Sequence, residues 1–516
     1  MTIFNSPLAD VPLRDVSITE RLFDGLAIDP GRVALIDGPT GDSMTGAALR
    51  ERTQRLAGGL AEHGFGAGQV VAIMAPNSPD FAVVFHGVAY AGGTITTINP
   101  TYTAPEVMHQ LNDASASLLI TIPAFLAIAE AAIIGTKVRQ IVVIGAAAGY
   151  QSLDDIMGAA ITAQVSVDLD RHILVLPYSS GTTGLPKGVM LSHRNLVVNV
   201  DQIIPLMDIH RGETSVAFLP FFHIYGMNVL MNAFLSAGAT LVTMPRFDLE
   251  GVLSHIQSHK VRLMMVAPPV AIALAKHPMV DQFDVSSLQV VLSAAAPLGP
   301  EVSAACAARL NCAVIQGYGM TELSPVSHAV PHRAPKTGSV GITAPNSQTR
   351  IVDPATGADM GPGQEGEVWV CGPQVMLGYL NNPDATAKTM DGAWLKTGDL
   401  GMVDDDGYLF IRDRLKELIK VKGFQVAPAE VEGELLGLPG IADAAVIGVP
   451  DDEAGEVPMA FVVRSAGSLI DADQIRAALS IRLAKYKVPS VITFVDAIPK
   501  SAAGKILRRV LKAGLA

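Results

Sequence analysis

Twelve residues, Tyr178 to Val189, read YSSGTTGLPKGV and hold the most distinctive chemistry of the chain. They combine glycines at 181, 184 and 188, hydroxyls at Ser179, Ser180, Thr182 and Thr183, and one cation, Lys187. Gly181 and Gly184 let the backbone turn tightly and approach a ligand. Successive N–H groups and hydroxyls then cradle phosphate oxygens, and Lys187 adds a charge. The pattern GxxxxGK[ST] is missing, since Lys187 follows Pro186 and precedes Gly188, so a P-loop helix start is excluded. A flexible surface linker shares this composition, but linkers rarely sit directly behind a buried strand with a lysine at their end.

Two other places draw attention to themselves. The stretch Arg412–Lys422 carries Arg412, Arg414, Lys416, Lys420 and Lys422, with Asp413 and Glu417 between them. Alone it reads as a solvated linker. His223 stands among apolar residues in FFHIYG, where a lone histidine is usually a satisfied core residue. The remaining histidines show no HExxH spacing, and no GxSxG nucleophile elbow occurs.

These residues need a frame, and the hydrophobic pattern predicts one. Apolar runs at 70–75, 117–121, 140–145, 172–179 and 290–294 read as strands. Amphipathic patterns at Thr45–Gly64, Ala104–Asn112 and Leu249–Ser258 read as helices between them. Alternation of β and α elements implies parallel sheets covered by helices, and continuous apolar strands fit burial on both faces. From Gly338 onward the chain turns Gly- and Pro-rich with short β runs, which predicts a small antiparallel barrel or distorted sheet. The tail reads as a compact α+β module, with helices Pro428–Leu436 and Asp471–Ala484 and strands at 443–450, 459–464 and 491–496.

The bulk numbers narrow the function classes. With 516 residues, about three domains or subdomains are expected. Hydrophobic residues at 49% and charged residues at 17% exclude disorder as the main state. A net charge of −12 argues against a general nucleic-acid binder while leaving room for a small anion held locally. Three cysteines (Cys306, Cys312, Cys371) without a CxxC pair fit a reducing, cytosolic setting. The ends show no signal-peptide pattern, CaaX box or SKL address, so a cytoplasmic protein is expected. The stretch Thr214–Pro245 lacks charge, but Pro220, His223, Asn228 and Asn232 interrupt it. It predicts strand, loop, helix from Met227, and strand, rather than a membrane span.

Seven motifs in order resemble the adenylate-forming enzymes: acyl-CoA synthetases, 4-coumarate–CoA ligases, firefly luciferase and nonribosomal-peptide adenylation domains. Besides YSSGTTGLPKGV they are LPFFHIY (219–225), SAAAPL (293–298), QGYGMTE (316–322), KTGD (396–399), DRLKELIKVKGFQV (413–426) and PKSAAGK (499–505). KVKGFQVAPAEVE and PKSAAGKILRR are most similar to the 4-coumarate–CoA ligase and luciferase branch. Ala294 stands where that branch more often has glycine, and Arg246 where relatives commonly have lysine.

The resemblance implies an α/β fold. Its large N-terminal AMP-binding domain (1–412) holds two α/β subdomains plus a distorted β-barrel. A hinge (413–416) centred on Lys416 leads to a small mobile α+β C-terminal domain (417–516). It assigns ATP and AMP to Ser179, Ser180, Gly181, Thr182, Thr183, Lys187, Gln316, Gly317, Tyr318, Thr321, Asp399 and Arg414. Tyr318 would stack on adenine, while Asp399 and the planar fork of Arg414 would meet the ribose. Glu322 would hold Mg²⁺, which prefers oxygen ligands and bridges phosphates. Lys505, Lys420, Gln425, His223, Thr183 and Lys187 would be catalytic, Lys505 serving adenylation and Lys420 thioester formation. Arg246, Lys422 and Gly423 would meet CoA. Ile224, Tyr225, Val229, Leu292, Ala295, Gly317, Gly319, Pro325 and Val326 would wall the acyl pocket.

The implied activity is ATP-dependent ligation of a carboxylic acid to CoA through an acyl-AMP, with Mg²⁺ as cofactor. The implied acid is a phenylpropenoate such as 4-coumarate. Rival readings are a medium- or long-chain fatty acid as substrate, a carrier protein as acceptor, a luciferase-like oxygenase, and a non-catalytic nucleotide-binding module. Retention of Lys187, Glu322, Asp399, Arg414 and Lys505 argues against the last.

Overall fold

The structure, a computed structural model, describes residues 2–179, 186–422, 424–451, 453–502 and 504–515. Four sheets organise the chain. In the eight-stranded sheet, Ile173–Ser179, Thr94–Thr97, Val70–Met74, Leu118–Thr121, Gln140–Val143 and Gln151–Ser152 run parallel. Lys187–Ser192 and Gly378–Tyr379 close one edge antiparallel. Leu118–Thr121 is buried at every position, as expected of a strand covered on both faces. Helices pack on these faces and start where side chains can cap them: Ser78 accepts from Phe81 N–H, and Thr45 from Ala48 N–H.

An eleven-stranded sheet forms the second layer. Its parallel part is Leu263–Val266, Val290–Ser293 and Ala313–Gly319. The strands expected as a barrel continue this sheet in antiparallel fashion, from Val326–Ala329 through Gly341–Thr343, Tyr408–Arg414, Trp394–Val403, Gly366–Cys371 and Gln348–Val352. Trp394–Val403 alternates strictly between buried and partly exposed residues, the mark of a strand with one wet face. A four-stranded sheet carries Thr214–Ala217, Thr240–Thr243 and Val33–Asp37 in parallel, with Ser43–Thr45 antiparallel at its edge.

The C-terminal part builds its own sheet from Ile419–Val421, Phe424–Val426, Ile441–Asp451, Gly455–Arg464 and Val491–Phe494. Helices Pro428–Leu436 and Ala472–Arg482 cover it, around a core that includes Val431, Leu435, Ile475 and Leu479.

The uncharged stretch 214–245 departs from expectation in one respect. Helix begins by Tyr225 rather than Met227, and Tyr225–Asn232 winds as a π-helix before Ala233–Ser236 continues as α. Two buried amides belong to this wider winding. Asn228 Nδ2 donates to Ser324 O at 2.6 Å, and Asn232 Nδ2 donates to Asn228 Oδ1 at 3.0 Å. Periodicity cannot foresee an asparagine whose partner lies 96 residues away. Among the described residues, no helix is long and apolar enough to cross a membrane.

Candidate active site

The ends of two sheets meet around one slot. Strand Ala313–Gly319 delivers Tyr318 to it and turns back into Val326–Ala329, with Gly319 opposite Val326. A Cβ at Gly319 would lie 2.0 Å from Pro325 O, so no larger residue lets the chain reverse this closely. Tyr318 O–H donates to Asp399 Oδ2 at 2.5 Å, which fixes the ring at the slot. Asp399 lies in register with Arg414 on the neighbouring strand, and Arg414 Nε is 3.3 Å from its other oxygen. Burial lifts the Asp399 carboxyl above its ordinary range, while Arg414 and the Tyr318 hydroxyl pull it back. Gln316 differs from its expected ligand role in part: its Oε1 already accepts Leu298 N–H at 3.0 Å and holds the loop after Ser293.

Glu322 is buried and draws two hydroxyls onto Oε1, Tyr379 O–H at 2.8 Å and Ser179 O–H at 3.3 Å. Lys187 pairs in register with Ser179, and its Nζ lies 4.8 Å from the Tyr379 ring centre. Ser179, Lys187, Thr321 and Glu322 thus come to one place. Tyr379 was missed by sequence reading, because LGYL carries no sign of the carboxylate 57 residues upstream that it bonds. Ser180, Gly181, Thr182 and Thr183 lie outside the described residues.

Mg²⁺ suits this donor set. Among the described residues Glu322 Oε2 receives no hydrogen bond, and the Ser179 and Thr321 hydroxyls beside it are hard oxygen donors. No group of three His, Cys, Asp or Glu side chains able to hold a metal occurs among the described residues.

The slot itself is a narrow, partly open cleft. Ile224, Tyr225, Leu292, Ala295, Gly317, Gly319, Pro325 and Val326 line it, as expected from the motifs. Val229 does not: it is fully buried in the core behind the wall. Met207, Ala294 and Met320 complete the wall instead. Met207 follows helix His193–Leu206 and Met320 follows QGYG, and nothing in an isolated methionine signals a pocket. Tyr225 is buried, and its O–H faces Val266 O at 3.3 Å and Leu292 O at 3.4 Å. Its proton is therefore spent on the sheet, and only a lone pair remains for a ligand.

His223 and Lys505 both line the slot. Burial, with Lys505 nearby, pushes the imidazole down to about 3, so it is neutral at ordinary pH. Its Nδ1 takes Tyr225 N–H at 3.3 Å, which leaves Nε2–H as a donor toward the slot. Burial and Arg414 together lower the Lys505 ammonium from its usual range.

Lys505 reaches the slot on a tight turn. Ser501 N–H donates to Lys505 O and Gly504 N–H to Ser501 O, both at 2.8 Å. Gly504 has a φ of +82°, and a Cβ there would press to 3.1 Å on Ala267. The other predicted face is elsewhere. Lys420, Lys422 and Gln425 are exposed and do not line the slot, and Gly423 lies outside the described residues. Arg246 is exposed at the end of Thr240–Thr243, and Lys416 is exposed in the turn between Tyr408–Arg414 and Ile419–Val421.

A buried carboxylate–guanidinium pair, Asp399 with Arg414, lies beside the Tyr318 ring, a hydroxyl- and lysine-lined edge and a second lysine at an apolar slot. A family profile described as "AMP-binding enzyme" matches residues 24–380, and "AMP-binding enzyme C-terminal domain" matches 430–505. The chain belongs to the AMP-binding enzyme family. Among AMP-binding enzymes it is 41% identical over 530 residues to 4-coumarate–CoA ligase 5 of Oryza sativa subsp. japonica, covering 100% of this chain and 97% of that one. A solved anthranilate CoA ligase in complex with anthranoyl-AMP superposes with a TM-score of 0.90 at 27% identity, covering 98% of each chain. ATP-bound MatB from Rhodopseudomonas palustris does so with a TM-score of 0.87 at 32% identity, covering 96% of this chain and 98% of the other.

Proposed function

We propose that this AMP-binding enzyme is an ATP-dependent acid–CoA ligase acting on a phenylpropenoic acid. In the first half-reaction a carboxylate oxygen attacks the α-phosphorus of ATP and pyrophosphate leaves. In the second, the CoA thiol loses its proton and its sulfur attacks the acyl carbon, and AMP leaves. The observation that carries the reading is Lys505, which lines an apolar slot together with His223 and Tyr318.

The chain's own residues do the positioning. Tyr318 offers adenine a face, and Asp399 with Arg414 takes the ribose hydroxyls. The loop from Ser179 to Lys187 cradles phosphates. Glu322, with the Ser179 and Thr321 hydroxyls, would hold Mg²⁺, whose chemistry is to neutralise phosphate charge. His223 donates from Nε2 to the acyl carboxylate. Lys505 sets a desolvated ammonium at the α-phosphate, where charge develops, and a low-dielectric site strengthens it. Lys416 is the hinge between 1–412 and 417–516. Rotation there exchanges Lys505 for the face bearing Lys420, Lys422, Gly423 and Gln425, with Arg246 meeting CoA. The exposure of that face while Lys505 occupies the slot supports two working orientations. A cytosolic setting goes with three free cysteines.

Support for an aryl acid comes from a slot walled by small residues, Ala294, Ala295, Gly317 and Gly319, and from the relatives' names. A medium-chain fatty acid is the second reading, favoured by one observation: the Tyr225 proton is already committed to backbone carbonyls. Mass spectra of products from ATP, CoA and an acid mixture test the reaction. Values of kcat/KM for 4-coumarate, cinnamate, hexanoate, octanoate and dodecanoate test the acid. A straight-chain acid ahead of both aryl acids overturns the aryl reading, and absence of any acyl-CoA overturns the ligase.

A further inference from the structure

Helix Pro428–Leu436 is gripped at both ends by residues that precede Lys416 in the chain. At its start the N-cap residue is Ala427, which has no side-chain oxygen to offer the free N–H groups of the first turn. Asp413 supplies one from outside the helix: its Oδ2 accepts Ala429 N–H at 2.9 Å, while Oδ1 accepts Arg414 N–H at 2.7 Å. Asp413 is buried, so this bond is made away from water. At the far end Lys276, the last residue of helix Pro268–Lys276, brings Nζ to 3.4 Å from Leu436 O and 3.5 Å from Ile441 O. A carboxylate therefore meets the positive end of the helix dipole and an ammonium meets the negative end.

The gripped helix is also tied to the segment that carries Lys505. Glu432, in its middle, binds Arg508 Nη2 through both oxygens at 2.8 and 2.9 Å and accepts Val446 N–H at 2.8 Å. Arg508 Nη1 reaches Glu417 at 3.1 Å. Arg508 lies three residues beyond Lys505, so a displacement of the helix displaces the lysine.

We propose that Asp413 and Lys276 form a two-ended clamp on the dipole of helix Pro428–Leu436 that latches the orientation with Lys505 in the slot. This rests on the ligase reading with its hinge at Lys416. Both contacts cross that hinge, so both must break when the C-terminal part rotates. Asp413 and Lys276 do not line the slot; they are positioning residues for adenylation, acting through Lys505. The clamp is made of few bonds, one of them at the exposed rim, as a latch that opens in every turnover requires.

The test measures the two half-reactions separately in the full chain: acid-dependent ATP–pyrophosphate exchange, and thioester formation from supplied acyl-AMP and CoA. Charge reversal at the rim, Lys276→Glu, should slow exchange by about threefold, and Asp413→Ala by about tenfold, both in keeping with contacts at a helix end. Thioester formation should hold or rise in each, because the competing orientation gains population. Lys276→Arg should restore the wild-type ratio. A general loss of folding would lower both half-reactions together and could not raise one against the other. Lys276 is exposed, so its variants report even if Asp413→Ala folds poorly. An unchanged ratio in Lys276→Glu, with wild type active in both steps, overturns the clamp alone. Wild type inactive in both steps overturns the ligase reading along with it.

Discussion

Tyr318 and Asp399 share a hydrogen bond of 2.5 Å, joining the ring that faces the slot to the carboxylate that faces Arg414. The two residues sit on different strands of one sheet, 81 positions apart. The bond gives the phenol a second duty besides its flat face: it fixes the orientation of the Asp399 carboxylate. Tyr318→Phe keeps the face and removes the bond. The KM for ATP should rise by about tenfold, the equivalent of one hydrogen bond to a charged group, with little change in the preferred acid. Equal loss for ATP and for the acid would mean that the ring position itself had been disturbed.

Lys505 should matter for one half-reaction. Lys505→Ala removes a single preorganised charge, a loss of the size that costs about 10²–10³ in rate. Pyrophosphate exchange should fall by that factor, while supplied acyl-AMP should still pass to CoA. A matching fall in the second step would show that Lys505 serves both.

Four buried histidines predict acid lability. Burial holds His86, His193, His223 and His328 down to about 3. Below pH 6.5 the unfolded chain binds protons there that the native state refuses. Stability is therefore complete above the unfolded value and is lost as pH falls, by about 1.4 kcal/mol per pH unit for each such group. Glu432, raised to about 7 by burial, acts in the opposite sense and offsets one of the four. Denaturant midpoints between pH 6.5 and 5 should fall steeply, and His328→Gln should flatten the slope. A level profile across that window would rule the explanation out.

Ala295 occupies φ +76° in the slot wall, a region where a Cβ crowds the backbone. Ala295→Gly should relieve about 1 kcal/mol of strain and raise the Tm. It also removes a methyl from the wall, so KM for a narrow aryl acid should rise. A lower Tm would mean that packing of the methyl outweighs the strain.

Which parts were legible beforehand follows from the range of the forces involved. The parallel strands and their helices were readable, because Leu118–Ile120 is apolar and Thr45 opens helix Gly46–Glu62: burial and capping write themselves into neighbouring residues. Lys187, Tyr318, Glu322, Asp399, Arg414 and Lys505 stood in short motifs, and the structure brings them around one slot and its edge. Val229 was misplaced and Met207 and Met320 were missed, because which side of a wall an apolar residue faces is decided by packing between distant segments. The π winding of Tyr225–Asn232 has the same origin, with Asn228 reaching Ser324. Sequence alone determined the chemistry available to this chain. Only the tertiary structure decided that the Tyr225 proton is spent on the sheet, that Tyr379 serves Glu322, and that Asp413 caps a helix beyond the hinge. Each of those bonds joins groups that are remote along the chain and adjacent only after folding.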